Sequence, residues 1–331
     1  MDGKAIMQNA DQNRFLGALL GMAIGDALGM PVTGWSAQRI RERVGAIDDY
    51  RRRVFDDGAE IKAGEFTDES EIALCIVESA TANGGLLDPD LIAPRLSFLA
   101  RGESKRWMHA DTLAAITRSD ETLDFVVPVD EDGPATGDVA VRGVPVGLLH
   151  AVGVVSDDAL SQDAEIVTRV THGSPKAFAS VCAVAYGVML AARQAADGPA
   201  LARETASFLG SGSIAAALER IGAGEIASLD EAIAAYGDGD DAASVVATGF
   251  AAAIGASTIE EVVFPAVNAG GASDGRGAIA GALVGARLGA SGIPQHLIDH
   301  LEGRIYVSLA APWFYKAAMR RAGLLIDLRP S

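Results

Sequence analysis

The segment Gly64-Glu65-Phe66-Thr67-Asp68-Glu69-Ser70-Glu71 crowds hydroxyl and carboxylate oxygens into one turn ahead of an apolar run. Oxygen donors grouped in this way suit a hard divalent cation such as Mg²⁺. An ordinary structural explanation competes. Thr67 or Asp68 can cap a helix, and Asp68 with Glu71 fits a capping box. A second start of the same kind is Asn268-Ala269-Gly270-Gly271-Ala272-Ser273-Asp274-Gly275. Its glycines loosen the backbone, and amides at such a start can hold a phosphate, although a plain Ser or Asp cap explains it too. In Thr171-His172-Gly173-Ser174-Pro175, His172 is placed to reach a phosphate or ribose, or to be a common loop histidine. The small-residue stretch Thr136-Gly137-Asp138-Val139-Ala140-Val141-Arg142 would let a ribose or phosphate approach the backbone.

Two glycine ladders flank these acidic segments. Gly17, Gly21, Gly25 and Gly29 recur at every fourth residue, as do Gly277, Gly281, Gly285 and Gly289. Glycine costs a helix interior about 1 kcal/mol relative to alanine. Residues at i and i+4 share one helix face. Each ladder therefore offers a face with almost no side chain, onto which another backbone can close. The two helices are expected to lie deep, near each other or a shared neighbour, so that the acidic segments at their ends converge.

The 331 residues are 49% hydrophobic but only 5% aromatic, which favours closely packed helices over sheets. Helical periodicity runs throughout, including helices over 11–29, 67–82, 174–193 and a last one from Pro294 to about Ser308. Residues 48–64 read as irregular, 119–137 as a long ordered loop, and Phe125 to Val129 as the best single strand candidate. Nothing separates two halves, so one all-α domain is expected over 1–331, with its core at about 11–325. The net charge of −17 argues against a nucleic-acid partner. The basic runs Arg51–Arg53 and Lys316, Arg320, Arg321 read as solvated surface. Cys75 and Cys182 sit in apolar helical runs without metal spacing, as buried reduced thiols of a cytoplasmic protein would. The apolar run Ala177 to Ala192 is shorter than the roughly 20 residues a bilayer requires, so no membrane span is expected. Asp26 breaks the one stretch that resembles a signal peptide.

Taken in order, these segments resemble the ADP-ribosylglycohydrolase family over nearly the whole chain. RFLGALLGMAIGDALGMPV is similar to its N-terminal helix and GDALG signature, and GEFTDESEIAL to its G-E-W-T-D-D segment. ATGDVAVRGVPVGLL, THGSP and AVNAGGASDGRGAIAGALVGARLG are similar to its later motifs. The resemblance implies a compact, single-domain orthogonal helical bundle with a binuclear Mg²⁺ or Mn²⁺ centre at the bottom of a cleft. It implies removal of ADP-ribose from a protein or small molecule by cleavage at C1 of the distal ribose. Carried over by motif, Thr67, Asp68, Glu69 and Asp274 would bind metal. Asp138, Val139, Ala140, Val141, His172, Gly271 and Ser273 would line the substrate cleft.

The chain departs from the family pattern where the chemistry sits. G-G-D-T-D-T is here G-G-A-S-D-G, so Ala272 and Gly275 replace an aspartate and a threonine that bind metal. Glu69 replaces the second aspartate of T-D-D, Thr33 stands where many members carry glutamate, and Asp138 occurs where glycine is usual. The donors that remain, Thr67, Asp68, Glu69 and Asp274, are sufficient for a single Mg²⁺ or Mn²⁺, and the number of ions stays open between one and two. The expected activity is metal-assisted hydrolysis of a ribosyl bond, with Asp68 or Glu69 as carboxylate base and Asp138 as a substitute acid. The alternative is a catalytically silent member that binds ADP-ribose or serves a structural or regulatory role.

Overall fold

The computed structural model describes residues 8–194 and 196–325. The ends of the expected domain, 1–7 and 326–331, lie outside the described residues. The helices are α1 (Gln12–Gly29), α2 (Ala37–Val44), α3 (Asp68–Ala82), α4 (Pro89–Arg101), α5 (Ala110–Thr122), α6 (Gly137–Val141), α7 (Gly143–Leu149), α8 (Asp157–Arg169) and α9 (Pro175–Ala192). They continue as α10 (Gly198–Leu209), α11 (Ser213–Gly222), α12 (Leu229–Tyr236), α13 (Ala242–Ala253), α14 (Glu260–Asn268), α15 (Ser273–Leu288), α16 (Gln295–Asp299) and α17 (Arg304–Arg321). A two-stranded hairpin, β1 (Arg53–Val54) and β2 (Glu60–Ile61), is the only sheet among the described residues. The fold is all-α.

The two glycine ladders face one another. Gly21 meets Gly281 and Gly25 meets Gly277, so α1 and α15 run antiparallel with their backbones in contact. A methyl group at Gly21 or Gly25 would overlap the carbonyl oxygen of the opposing glycine. The close approach is what offsets the poor helix propensity of both segments. The second apolar helix, α9, starts with a Ser174 cap, whose Oγ accepts from Ala177 N at 3.1 Å, and with Pro175 in its first turn. The windows of α1 and α9 long and apolar enough to cross a membrane are 94% and 72% buried inside the protein, so core packing accounts for their hydropathy.

Three expectations differ from the structure. Residues 48–64 are not wholly irregular: Arg53 pairs with Ile61 and Val54 with Glu60. Phe125 to Val129 is not a strand, and Val127 N donates to the Arg169 carbonyl at 2.7 Å. The helix expected from Pro294 to Ser308 is two, α16 and α17, separated by a turn. That turn is pinned to the acidic segment: Glu302 N donates to the Gly64 carbonyl at 2.9 Å, and Gly303 packs against the Phe66 ring with no room for a side chain. Cys75 and Cys182 are free and buried.

Candidate active site

The antiparallel pairing of α1 and α15 sets the end of one ladder beside the start of the other. Ser273 Oγ donates to the Gly29 carbonyl at 2.9 Å, which fixes the first residue of α15 against the end of α1. Arg276, fully buried, holds the loops around this junction. Its guanidinium donates to the carbonyls of Ala266, Gly270 and Asp238 and to Thr248 Oγ1 at 2.8–3.2 Å. Burial lowers its pKa to about 10.

Asp26 reaches from α1 to the start of α3. Its Oδ2 accepts from Thr67 N at 3.0 Å and Ser70 N at 3.2 Å. These are amides that a helix start leaves without an intrahelical partner. The capping box expected of Asp68 and Glu71 is therefore absent: Asp68 is already the first helical residue, and a carboxylate from another helix caps the turn. This releases Thr67. Its Oγ1 lies 2.8 Å from Asp26 Oδ1 and 2.9 Å from Glu69 Oε2. One hydroxyl proton serves one acceptor, so both bonds form together when one of the carboxyls carries a proton.

Asp68, Glu69, Asp138, Asp240, Gly271 and Asp274 share a pocket of about 360 Å³ with Met30, Thr33, Gly34, Trp107, His109 and Ala272. Asp274 accepts from Thr33 Oγ1 at 3.0 Å and from Gly275 N at 2.9 Å. Asp138 Oδ2 accepts from Thr112 Oγ1 at 2.7 Å and pairs with Arg142 at 3.4 Å, while its Oδ1 accepts from Thr136 Oγ1. Arg142 also donates to Thr171, whose hydroxyl meets His172 Nδ1 at 2.8 Å. His172 Nε2 is buried without a partner.

The electrostatics divide these acids. Burial, then the charges of Asp138, Asp26 and Asp274, pushes Asp68 well above the usual carboxylate range. Burial, then Asp68 and Asp274, does the same to Glu69. Burial also raises Asp274, raises Asp26 to about 7 and raises Asp240 to about 6. Asp138 goes the other way. Burial alone would raise it, but the Arg142 charge and the two threonine hydroxyls hold it below the ordinary value. Burial and the Arg142 charge lower His172 to about 4, so it is neutral. Burial and neighbouring charge thus favour the protonated forms of Asp68 and Glu69, and the Arg142 charge favours the ionised form of Asp138.

Several expected site residues stand behind the pocket wall. Thr67 and Ser273 are fully buried in hydrogen bonds. Val139, Ala140 and Val141 are core residues of α6, and His172 is 1% exposed. Sequence reasoning missed Asp26, Asp240, Trp107, His109 and Met30. Asp26 carried a signal, as an acid buried in an apolar glycine ladder. Asp240 sits in the acidic loop Asp238-Gly239-Asp240-Asp241, whose length and place gave none.

The donor chemistry suits a hard cation: the carboxylate oxygens of Asp68, Glu69, Asp138, Asp240 and Asp274 line one pocket. The spacing is looser: among the described residues no three His, Cys, Asp or Glu side chains stand close enough to enclose an ion.

The ADP-ribosylglycohydrolase family profile matches residues 7–325. The chain belongs to that family. An uncharacterized protein of Archaeoglobus fulgidus is 29% identical over 312 residues, covering 93% of this chain and 98% of that one. The ADP-ribosyl-[dinitrogen reductase] glycohydrolase of Rhodospirillum rubrum is 26% identical over 306 residues, covering 88% and 92%. A solved ADP-ribosylglycohydrolase-related protein complex superposes with a TM-score of 0.73 at 28% identity, over 93% of this chain and 99% of that one. Against the family pattern, the altered positions cluster. Ala272 and Thr33 line the pocket, and a Cβ at Gly275 would lie 4.0 Å from Glu69 Oε1.

Proposed function

We propose that this ADP-ribosylglycohydrolase family member hydrolyses a glycosidic bond to ribose in an ADP-ribosylated protein or small molecule, aided by one divalent cation. The observation that carries the reading is the pocket itself, of about 360 Å³, which Asp138, held low by the Arg142 charge, shares with Asp68 and Glu69, both raised by burial. Asp138 is oriented by Thr112, Thr136 and Arg142 to take a proton from water. Asp68 or Glu69 is placed to give a proton to the departing oxygen or nitrogen. Asp274, fixed by Thr33, closes the floor. Asp274 and whichever of Asp68 and Glu69 does not serve as that acid, with Thr67 behind them, would hold Mg²⁺ or Mn²⁺. When bound, the cation supplies Lewis acidity and orientation to the ribose hydroxyls or a water.

A second reading, ADP-ribose binding without turnover, is favoured by Ala272 and by the lack of three converging ligands. One experiment separates the two. Release of ADP-ribose from ADP-ribosylated substrates is followed with Mg²⁺, with Mn²⁺ and with EDTA, beside calorimetry with free ADP-ribose. Divalent-dependent release supports hydrolysis. Binding without release supports the silent reading, and neither binding nor release rejects both.

A further inference from the structure

Beside the acidic pocket runs a ladder of arginines and aromatic rings. The Arg39 guanidinium lies 4.6 Å from the Trp35 ring centre, and the Arg53 guanidinium lies 4.9 Å from that ring and 4.2 Å from Phe55. Phe55 packs on Trp107 at 5.1 Å, and Arg106 covers Trp107 at 4.6 Å. The ladder touches the pocket at both ends. Trp107 lines it, as do Thr33 and Gly34, the residues just before Trp35. Arg53 is tied to the same rim, donating to the Thr33 carbonyl at 3.1 Å and the Pro31 carbonyl at 3.4 Å.

The run Arg51–Arg53 reads from the sequence as solvated surface, and for two members that holds. Arg51 pairs with Asp48 and Arg52 with Glu60, both at 3.4 Å. Arg53 turns inward and has no carboxylate within ion-pair distance among the described residues, and neither has Arg39 on α2. Two guanidiniums on one indole repel each other. Burial first, and then the Arg39 charge, makes the Arg53 cation harder to keep, and Asp56 relieves it only from farther away. An anion within reach of both would offset that repulsion. The floor of the pocket repels phosphate, and so does the rest of a chain of net charge −17. A molecule that sets a ribose among those acids must carry its phosphates out to a cationic rim, and paired guanidiniums are suited to phosphate oxygens.

We propose that Arg39 and Arg53, gathered on Trp35 at the rim of the pocket, form an anion site for a phosphate group. Only the identity of the molecule that carries the phosphate rests on the function proposed above. The substrate's own diphosphate and a free polyphosphate share this chemistry, and two probes tell them apart.

Calorimetry on the full chain, in EDTA at low salt, measures inorganic pyrophosphate and ADP-ribose against wild type and Arg39→Gln. Arg39 is exposed on α2 and its side chain makes no hydrogen bond, so this variant spares the rim contacts that Arg53→Gln would cut; circular dichroism verifies the fold. The expected result is an affinity loss of about tenfold, with a shallower salt dependence and partial rescue by Arg39→Lys. Loss with ADP-ribose assigns the site to the substrate's diphosphate. Loss with pyrophosphate alone assigns it to free polyphosphate, and this stands even if no ribosyl bond is ever cleaved. No loss with either probe, including failure of both to bind wild type, overturns the proposal while leaving the hydrolase reading intact.

Discussion

Asp26 caps a helix to which it does not belong. Its Oδ2 holds the amide of Thr67, 41 positions later in the chain, at 3.0 Å, and its Oδ1 accepts from the Thr67 hydroxyl at 2.8 Å. One carboxylate thus fastens the acidic start of α3 to the glycine helix, and the Thr67 hydroxyl bridges it to Glu69.

Removing this cap exposes buried amides without partners. Asp26→Ala is expected to destabilise the fold by about 2–4 kcal/mol, and Asp26→Asn, which keeps an acceptor, by about half as much. Urea denaturation measures both. Equal losses in the two variants would show that hydrogen bonding is not what Asp26 provides.

The raised carboxyls set a pH dependence. Asp26 moves from 3.8 to about 7 and Asp240 from 3.8 to about 6, burial being the leading cause in each. Their folded states bind more protons than the unfolded chain, so the stability they contribute is full below 3.8 and is lost as pH rises through about 7. His172 opposes this: its value falls from 6.5 to about 4, so its contribution is lost as pH falls through that lower value. The acids outnumber it. In EDTA the urea midpoint should be lower at about pH 8 than at about pH 5, and Mg²⁺ should narrow the difference. A midpoint that rises over this interval in EDTA would contradict the buried acidic cluster.

Glycine-to-alanine changes normally favour a helix by about 1 kcal/mol. Gly21→Ala and Gly281→Ala are expected to reverse that sign and cost roughly 2–3 kcal/mol, because each methyl overlaps a carbonyl of the facing helix. Thermal melting against wild type tests this. An unchanged or raised Tm would separate the two ladders.

Asp138→Asn should retain the fold and lower turnover of the proposed reaction by about 10²- to 10⁴-fold, with a smaller change in KM. Arg142→Met, which leaves Asp138 buried without its cation, should raise the lower pKa of the pH–rate profile as well as slowing turnover. An unmoved profile would remove Arg142 from the positioning of Asp138.

Ala272 lines the pocket at a position where a further carboxylate would join Asp68 and Asp274. Ala272→Asp is therefore expected to tighten Mn²⁺ binding by about tenfold, and Asp274→Ala to weaken it by at least as much. Titration calorimetry reads both, and anomalous scattering from Mn²⁺-soaked crystals locates the ion. Density away from Asp68 and Asp274 would refute the assigned ligands.

The sequence by itself determined the helices, because repeated small and apolar residues at a period near four leave few alternatives. It called for a backbone packed against each ladder, at Gly21, Gly25, Gly277 and Gly281, and left open whether the ladders met each other or a shared neighbour; the packing of α1 on α15 decided that. It also singled out Asp68, Glu69, Asp138 and Asp274, which meet in one pocket. Tertiary structure alone decided what each acid does. Whether Asp68 is a cap or a pocket carboxyl depends on Asp26 reaching Thr67 and Ser70 from another helix. Whether Asp138 is an acid or a base depends on Arg142 one turn away and Thr112 on α5. The same holds for Arg53, which belongs to a solvated run in one dimension and to the rim in three. A motif states which groups are present, but protonation and partnership follow from burial and from the charge of neighbours, and these exist only once distant segments have packed together.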